Sequence, residues 1–134
     1  MGNDISGKKR VILEMGTGND LYGADYTKAA IRALEDAFRH SSLTLFREVS
    51  LDHTEMDVHV TIGVQKPDEV DRARVAAHLP RGKGFVDVVL GGLDVRDDGA
   101  ETPHVIATAA IEAFIPDLAG KWRLSTDADP GEMR

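Results

Sequence analysis

VILEMGTGNDLYGADYTKAAIRALEDAFR, residues 11–39, holds the decisive reading of the chain. Arg10–Met15 (RVILEM) reads as a short apolar strand interrupted by Glu14. GTGNDLYG, residues 16–23, carries three glycines with Asn19 and Asp20, a composition that predicts a loop with unusual backbone angles. Asp25 is placed to cap a helix, and Ala30, Ile31, Leu34, Ala37 and Phe38 recur at helical spacing, so a helix is expected from Tyr26 to about Arg39.

Working outward, Ser41-Ser42 interrupts the pattern, and Leu43, Leu45 and Phe46 fit either a helical turn or an irregular packed segment. In Met56–Val64 apolar residues alternate with Asp57, His59, Thr61 and Gly63, the signature of a strand with one buried face. Lys66-Pro67-Asp68 opens an expected second helix, lined by Val70, Ala73, Ala76, Ala77 and Leu79 and stopped by Pro80 and Gly82. Phe85–Leu90 is an expected third strand, and residues 91–103 a loop rich in Gly and Asp. His104–Ile115 is ambiguous, since its alanines favour helix and its β-branched residues favour strand; after a loop of this size a returning antiparallel strand is expected. Residues 1–9 and 116–134 read as polar tails around one domain, 10–115, with Trp122 docking the second tail.

The order β-α-β-α-β-β predicts an α/β fold, a four-stranded mixed sheet with both helices on one face. The other face then lacks a helix. Alternation gives it Glu14, His59, Thr61, Asp87, Thr108 and Glu112, mixed with apolar residues such as Ile12 and Phe114. Such a face suits packing in a closed homo-oligomer.

Composition narrows the function classes. There are 23 Asp plus Glu against 16 Lys plus Arg, a net charge of -7, which argues against a nucleic-acid partner. Cysteine is absent, excluding thiol catalysis and thiolate metal sites. No apolar run has the roughly 20 residues of a membrane span, and MGNDISGKKR lacks a signal-peptide core, so a cytoplasmic protein is expected. The five histidines show no metal spacing, and neither a metal nor a cofactor is expected.

For chemistry, the GTGND segment (Gly16, Thr17, Gly18, Asn19, Asp20) lies between a strand end and a helix start, where α/β proteins place ligands. It lacks the lysine of a phosphate-binding loop and the spacing of a dinucleotide loop, and a tight turn that simply needs glycine is an equal reading. Lys28 falls in the first helical turn, where the dipole disfavours a cation, which hints at an anionic partner: Glu14, Asp20 or a ligand. Ser41 and Ser42 are nucleophile candidates with Lys28 or His40 as base, although serine pairs there are commonly turn residues. His104 stands beside the polar sheet face, as a structural or a catalytic residue. Glu14 and Glu112, inside apolar strands, need partners, whether across an interface or in acid–base work.

Residues 11–43, with VTIGVQKPDEVD, GGLDV and HVIATAAIEAFI, resemble the "Lin" family of small conserved-hypothetical bacterial proteins over nearly everything between the tails. That resemblance implies a chorismate-mutase-like or tubulin-C-terminal-like fold. GTGNDLYGADYT is also distantly similar to one repeat of the ring-opening cyclic amide hydrolases, cyanuric acid hydrolase and barbiturase. Three such repeats surround a threefold axis there, so this likeness implies a homotrimer or a multiple of it, with Ser42 at the serine position. Those enzymes carry a lysine before the loop, where this chain has Gly16. Three readings follow: a homo-oligomer binding or converting a small anionic or cyclic amide molecule between subunits, a cyclic amide hydrolase using Ser42, Lys28 and His104, or a non-catalytic assembly or regulatory protein.

Overall fold

The computed structural model describes residues 7–39, 57–79 and 83–116. His40, Ser41, Ser42, the segment holding Leu43, Leu45 and Phe46, and the tail with Trp122 lie outside the described residues.

Strand β1 runs Lys8–Asp20, so GTGND is strand and not the expected loop. The reason is on its inner side. A Cβ on Gly16 would lie 2.4 Å from the Ala37 amide nitrogen, and one on Gly18 would lie 2.3 Å from that of Ala33. Helix α1, Tyr26–Arg39, lies against β1 along a ladder of Ala29, Ala33 and Ala37, all fully buried. The glycines admit a helix backbone rather than a turn. The true connection is Leu21–Asp25, with Ala24 at φ 49°. Asp25 caps α1 by accepting the Lys28 N–H at 3.0 Å.

Strand β2 (Asp57–Val64) pairs in parallel with β3 (Lys83–Leu90). Strand β5 (His104–Pro116) is antiparallel to both β1 and β2, giving the order β1-β5-β2-β3. A short β4, Leu93–Val95, falls in the expected 91–103 loop and pairs with the start of β5, making five strands among the described residues. Gly92 permits this: its φ is +60°, and a Cβ there would stand 2.1 Å from the Ile106 carbonyl oxygen.

The expected second helix is split into a 3₁₀ turn, Pro67–Glu69, and α2, Arg72–Ala76. Val70 is extended between them and buried, and Asp71 caps α2 by accepting the Arg74 N–H at 3.2 Å. The buried Thr27 hydroxyl of α1 spans the break. It accepts the Asp71 N–H at 2.9 Å and donates to the Glu69 carbonyl at 3.4 Å, so backbone groups freed by the interruption stay satisfied. Both helices cover one face, over the core of Leu34, Val60, Ile62, Val75 and Val105.

The open face differs from the expected one in its β1 row. A bulge between Arg10 and Ile12 switches the alternation. Lys8 and Arg10 face outward before it, and Leu13, Met15, Thr17 and Asn19 after it, by register with β5. A strand without the bulge would carry Ile12 and Glu14 outward after Arg10. Instead Ile12 is in the core and the half-buried Glu14 faces the helices, opposite Ile111. His59, Thr61, Asp87, Thr108, Glu112 and Phe114 do share the open face by register.

Candidate functional site

Two concavities adjoin the stretch from Gly16 to Arg32. The first is a cleft of about 420 Å³ lined by Asp20, Leu21, Tyr22, Gly23, Asp25, Lys28 and Arg32. Asp20 ends β1 on its inner side and is buried. Its Oδ2 accepts the Asp25 N–H at 2.8 Å, and its Oδ1 lies 3.9 Å from Lys28 Nζ and 3.7 Å from Arg32 Nη1. Arg32 follows Lys28 by four residues, one helical turn, which brings both cations to the same carboxylate. Arg32 also donates to the Asn19 carbonyl at 2.5 Å. Asp20 thus offsets the poor placement of Lys28 at the positive end of α1. Both carboxylates accept from backbone, whereas the two cations remain about half exposed beside the cavity. The cleft offers donors.

Next to it, His104 Nδ1 faces the Leu21 carbonyl at 2.6 Å and Nε2 faces Asp97 Oδ2 at 2.8 Å. Both partners are acceptors only, so the ring satisfies both as an imidazolium. The Asp97 carboxylate and the Leu21 carbonyl accordingly raise its pKa above 6.5. Tyr22 meets this ring edge-on, with centroids 6.1 Å apart. On the other side of the connection, the Tyr26 hydroxyl donates to Asp94 of β4, and burial foremost, then that bond, pushes its pKa up to about 12.

The second concavity, about 570 Å³, lies across the open face. Thr61, Gly63, Thr108 and Ala110 line it with Met15, Thr17, Val89 and Leu90. Gly63 keeps it open, since a Cβ there would be 2.6 Å from Thr108 Oγ1. Gly16 and Asp36 reach it at the β1 edge, where Asp36 accepts the Thr17 N–H at 3.0 Å.

The structure therefore brings Asp20, Asp25 and Lys28 together at one cleft, with His104 on the adjoining segment. Gly16 and Thr17 border the groove instead, and Gly18 lies beneath α1. Asn19 is exposed and contributes its carbonyl to Arg32. Glu112 pairs with Arg10 at 3.1 Å across the open face, and Glu14 is remote on the other face. Ser41 and Ser42 lie outside the described residues. Arg32 and Asp97 were not among the expected site residues; the four-residue spacing from Lys28 is a signal for the first, and the second is brought in by loop geometry alone. Among the described residues no three His, Asp or Glu side chains gather as a metal site.

Comparison with known proteins follows the same stretch of chain. A family model described as conserved hypothetical protein, Lin0512 family, matches residues 10–113. A crystal structure from Nostoc punctiforme PCC 73102, described as an FtsZ-like protein of unknown function, is 33% identical, with a TM-score of 0.74 over 83% of this chain and 98% of that one. No curated protein matches the chain.

Proposed function

The chain belongs to the Lin0512 family of conserved hypothetical proteins, and we propose that it is a homo-oligomeric small-molecule-binding protein, assembled through its open sheet face. The observation that carries this reading is the outward row of β1 and its neighbours. Met15 is 68% exposed and Leu13 45%, with Val89, Leu93 and Val95 also exposed on or beside the same face. Large apolar side chains gathered on one face that carries no helix among the described residues mark an interaction surface.

The cleft at Asp20, Lys28 and Arg32 is the ligand site in this reading. Its half-exposed cations suit a small molecule with an anionic or strongly accepting group, such as an oxo acid or the carbonyls of a cyclic amide. Sedimentation velocity on wild type and Met15→Glu tests the assembly: wild type should sediment as an oligomer and the variant as a folded monomer. Thermal shift against a panel of oxo acids and cyclic amides tests the site, with a shift expected for at least one and lost in Arg32→Ala. A monomeric wild type would sink the assembly, and a silent panel the ligand reading.

A further inference from the structure

Tyr22 lines the same cleft as Asp20, Lys28 and Arg32. It is 84% exposed, the most exposed of the large apolar residues described. Its backbone is nonetheless tied down. The Leu21 carbonyl meets His104 Nδ1 at 2.6 Å, the Tyr22 carbonyl accepts from Thr102 Oγ1 at 3.5 Å, and the Tyr22 ring meets the His104 ring edge-on. An aromatic side chain placed in this way presents open ring surface and loses little freedom when a second ring packs on it.

In the same cleft Lys28 and Arg32 stand one helical turn apart on α1, both half exposed. Their distances to Asp20 Oδ1, 3.9 and 3.7 Å, exceed hydrogen-bond reach, so this carboxylate orients both cations without consuming their hydrogens. Arg32 donates from Nη1 to the Asn19 carbonyl, and its planar fork carries further N–H groups.

The charge balance narrows what these cations can hold. The carboxylates of Asp20 and Asp25 offset the charges of Lys28 and Arg32, so the lining has no surplus positive field to hold a multiply charged anion. A phosphate would also call on backbone amides at the start of α1, yet the Asp25 N–H goes to Asp20 and the Lys28 N–H to Asp25. One carboxylate needs only the two side chains. The cleft, at about 420 Å³, has room for more than a carboxylate, and Tyr22 gives that room an aromatic wall. The groove on the open face is a poorer host for an anion, because Asp36 borders it and no Lys or Arg lines it among the described residues.

Building on the cleft as the ligand site, we propose that its ligand is an aromatic or heteroaromatic monocarboxylate, with the carboxylate held by Lys28 and Arg32 and the ring packed against Tyr22. Tyr22 is then the residue that selects a flat ring over a saturated one. Binding of benzoate, cyclohexanecarboxylate, phenyl phosphate and pyruvate would be followed by two-dimensional NMR on wild type, Tyr22→Ala, Tyr22→Phe and Arg32→Ala, with circular dichroism to verify folding. In wild type, benzoate should bind about fivefold more tightly than cyclohexanecarboxylate, the worth of one aromatic contact, and should shift the resonances of Tyr22 and Lys28. Phenyl phosphate should bind no more tightly than benzoate. Tyr22→Ala should bring the two ring carboxylates to equal affinity, Tyr22→Phe should keep the preference, and Arg32→Ala should weaken both by about tenfold or more.

Equal affinity for benzoate and cyclohexanecarboxylate in wild type, or a preference for benzoate that survives in Tyr22→Ala, would overturn the ring contact and leave the anion site standing. Binding of pyruvate with neither ring carboxylate would do the same. Tighter binding of phenyl phosphate would overturn the assignment to a carboxylate, and shifts confined to the open-face groove would overturn the location. A wild type that binds none of the four would overturn the ligand site itself and this proposal with it.

Discussion

The two sides of β1 invert the usual distribution of bulk. Inward, toward the helices, the strand presents Gly16 and Gly18; outward it presents Leu13 and Met15. The inner side can be small because a helix backbone, and not a set of side chains, fills the space above it. The outer side is large and apolar with no layer of described structure over it. Small residues in a core thus signal how closely two elements approach, and large residues on a surface signal what that surface is for.

The largest break in this contrast should come from the inner side. Gly18→Ala places a methyl within 2.3 Å of helix backbone, which cannot swing away as a side chain could. A loss of about 3 kcal/mol, the upper part of the range for overpacked cores, is expected in urea denaturation. A loss under about 1 kcal/mol would mean that α1 is not seated on the glycines. Thr27→Val should cost about 2 kcal/mol, since it leaves the Asp71 N–H without its acceptor in a buried place; a neutral result would remove the hydroxyl from the account of the split helix. By contrast, Leu13→Ser, measured at low protein concentration, should change stability by no more than about 0.5 kcal/mol. A cost of core size would show that Leu13 is packed within the fold of its own chain.

The smallest expected effect concerns the His104 ring that Tyr22 meets edge-on. The His104 pKa is raised, so the imidazolium stabilises the folded chain fully below the ordinary value of 6.5, and this contribution is lost as pH rises through the higher folded value. An NMR titration of His104 should give a midpoint above 6.5, and Asp97→Asn should lower it. A midpoint at or below 6.5 would mean that the ring is not held between its two acceptors.

Much of the architecture is legible in the sequence because it rests on periodicity. Alternation from Val58 to Val64 and helical spacing from Ala30 to Phe38 lead to β2 and α1, and the β-branched residues of His104–Ile115 outweigh its alanines, as β5 shows. Glycine misleads, because composition reports permissiveness without saying whether it serves a turn or a close approach. At Gly16 and Gly18 it serves the latter, and the matching sign is the alanine ladder on α1. The faces of β1 were not legible either, since a bulge has no residue type of its own and one extra residue reverses every later assignment. At the site, Asp20, Asp25 and Lys28 are close in sequence and meet in space. Asp97 reaches His104 through a loop path that no local pattern encodes.

That bulge has a consequence for how the face is composed. Lys8 and Arg10 reach Asp57 and Glu112 from one end of β1, while Leu13 and Met15 lie bare at the other, all on the same side of the sheet. An unbroken strand could keep only one of these sets outward. The unpaired Val11 therefore separates an ion-paired district from an exposed apolar one. Deleting it would leave Arg10 outward, Ile12 inward and Leu13 outward in plain alternation, whereas pairing it regularly would turn one half of the strand over, trading the ion pairs for a bare face or the bare face for Glu14, so the character of this surface hangs on how the chain is paired at one point rather than on the identity of any residue displayed.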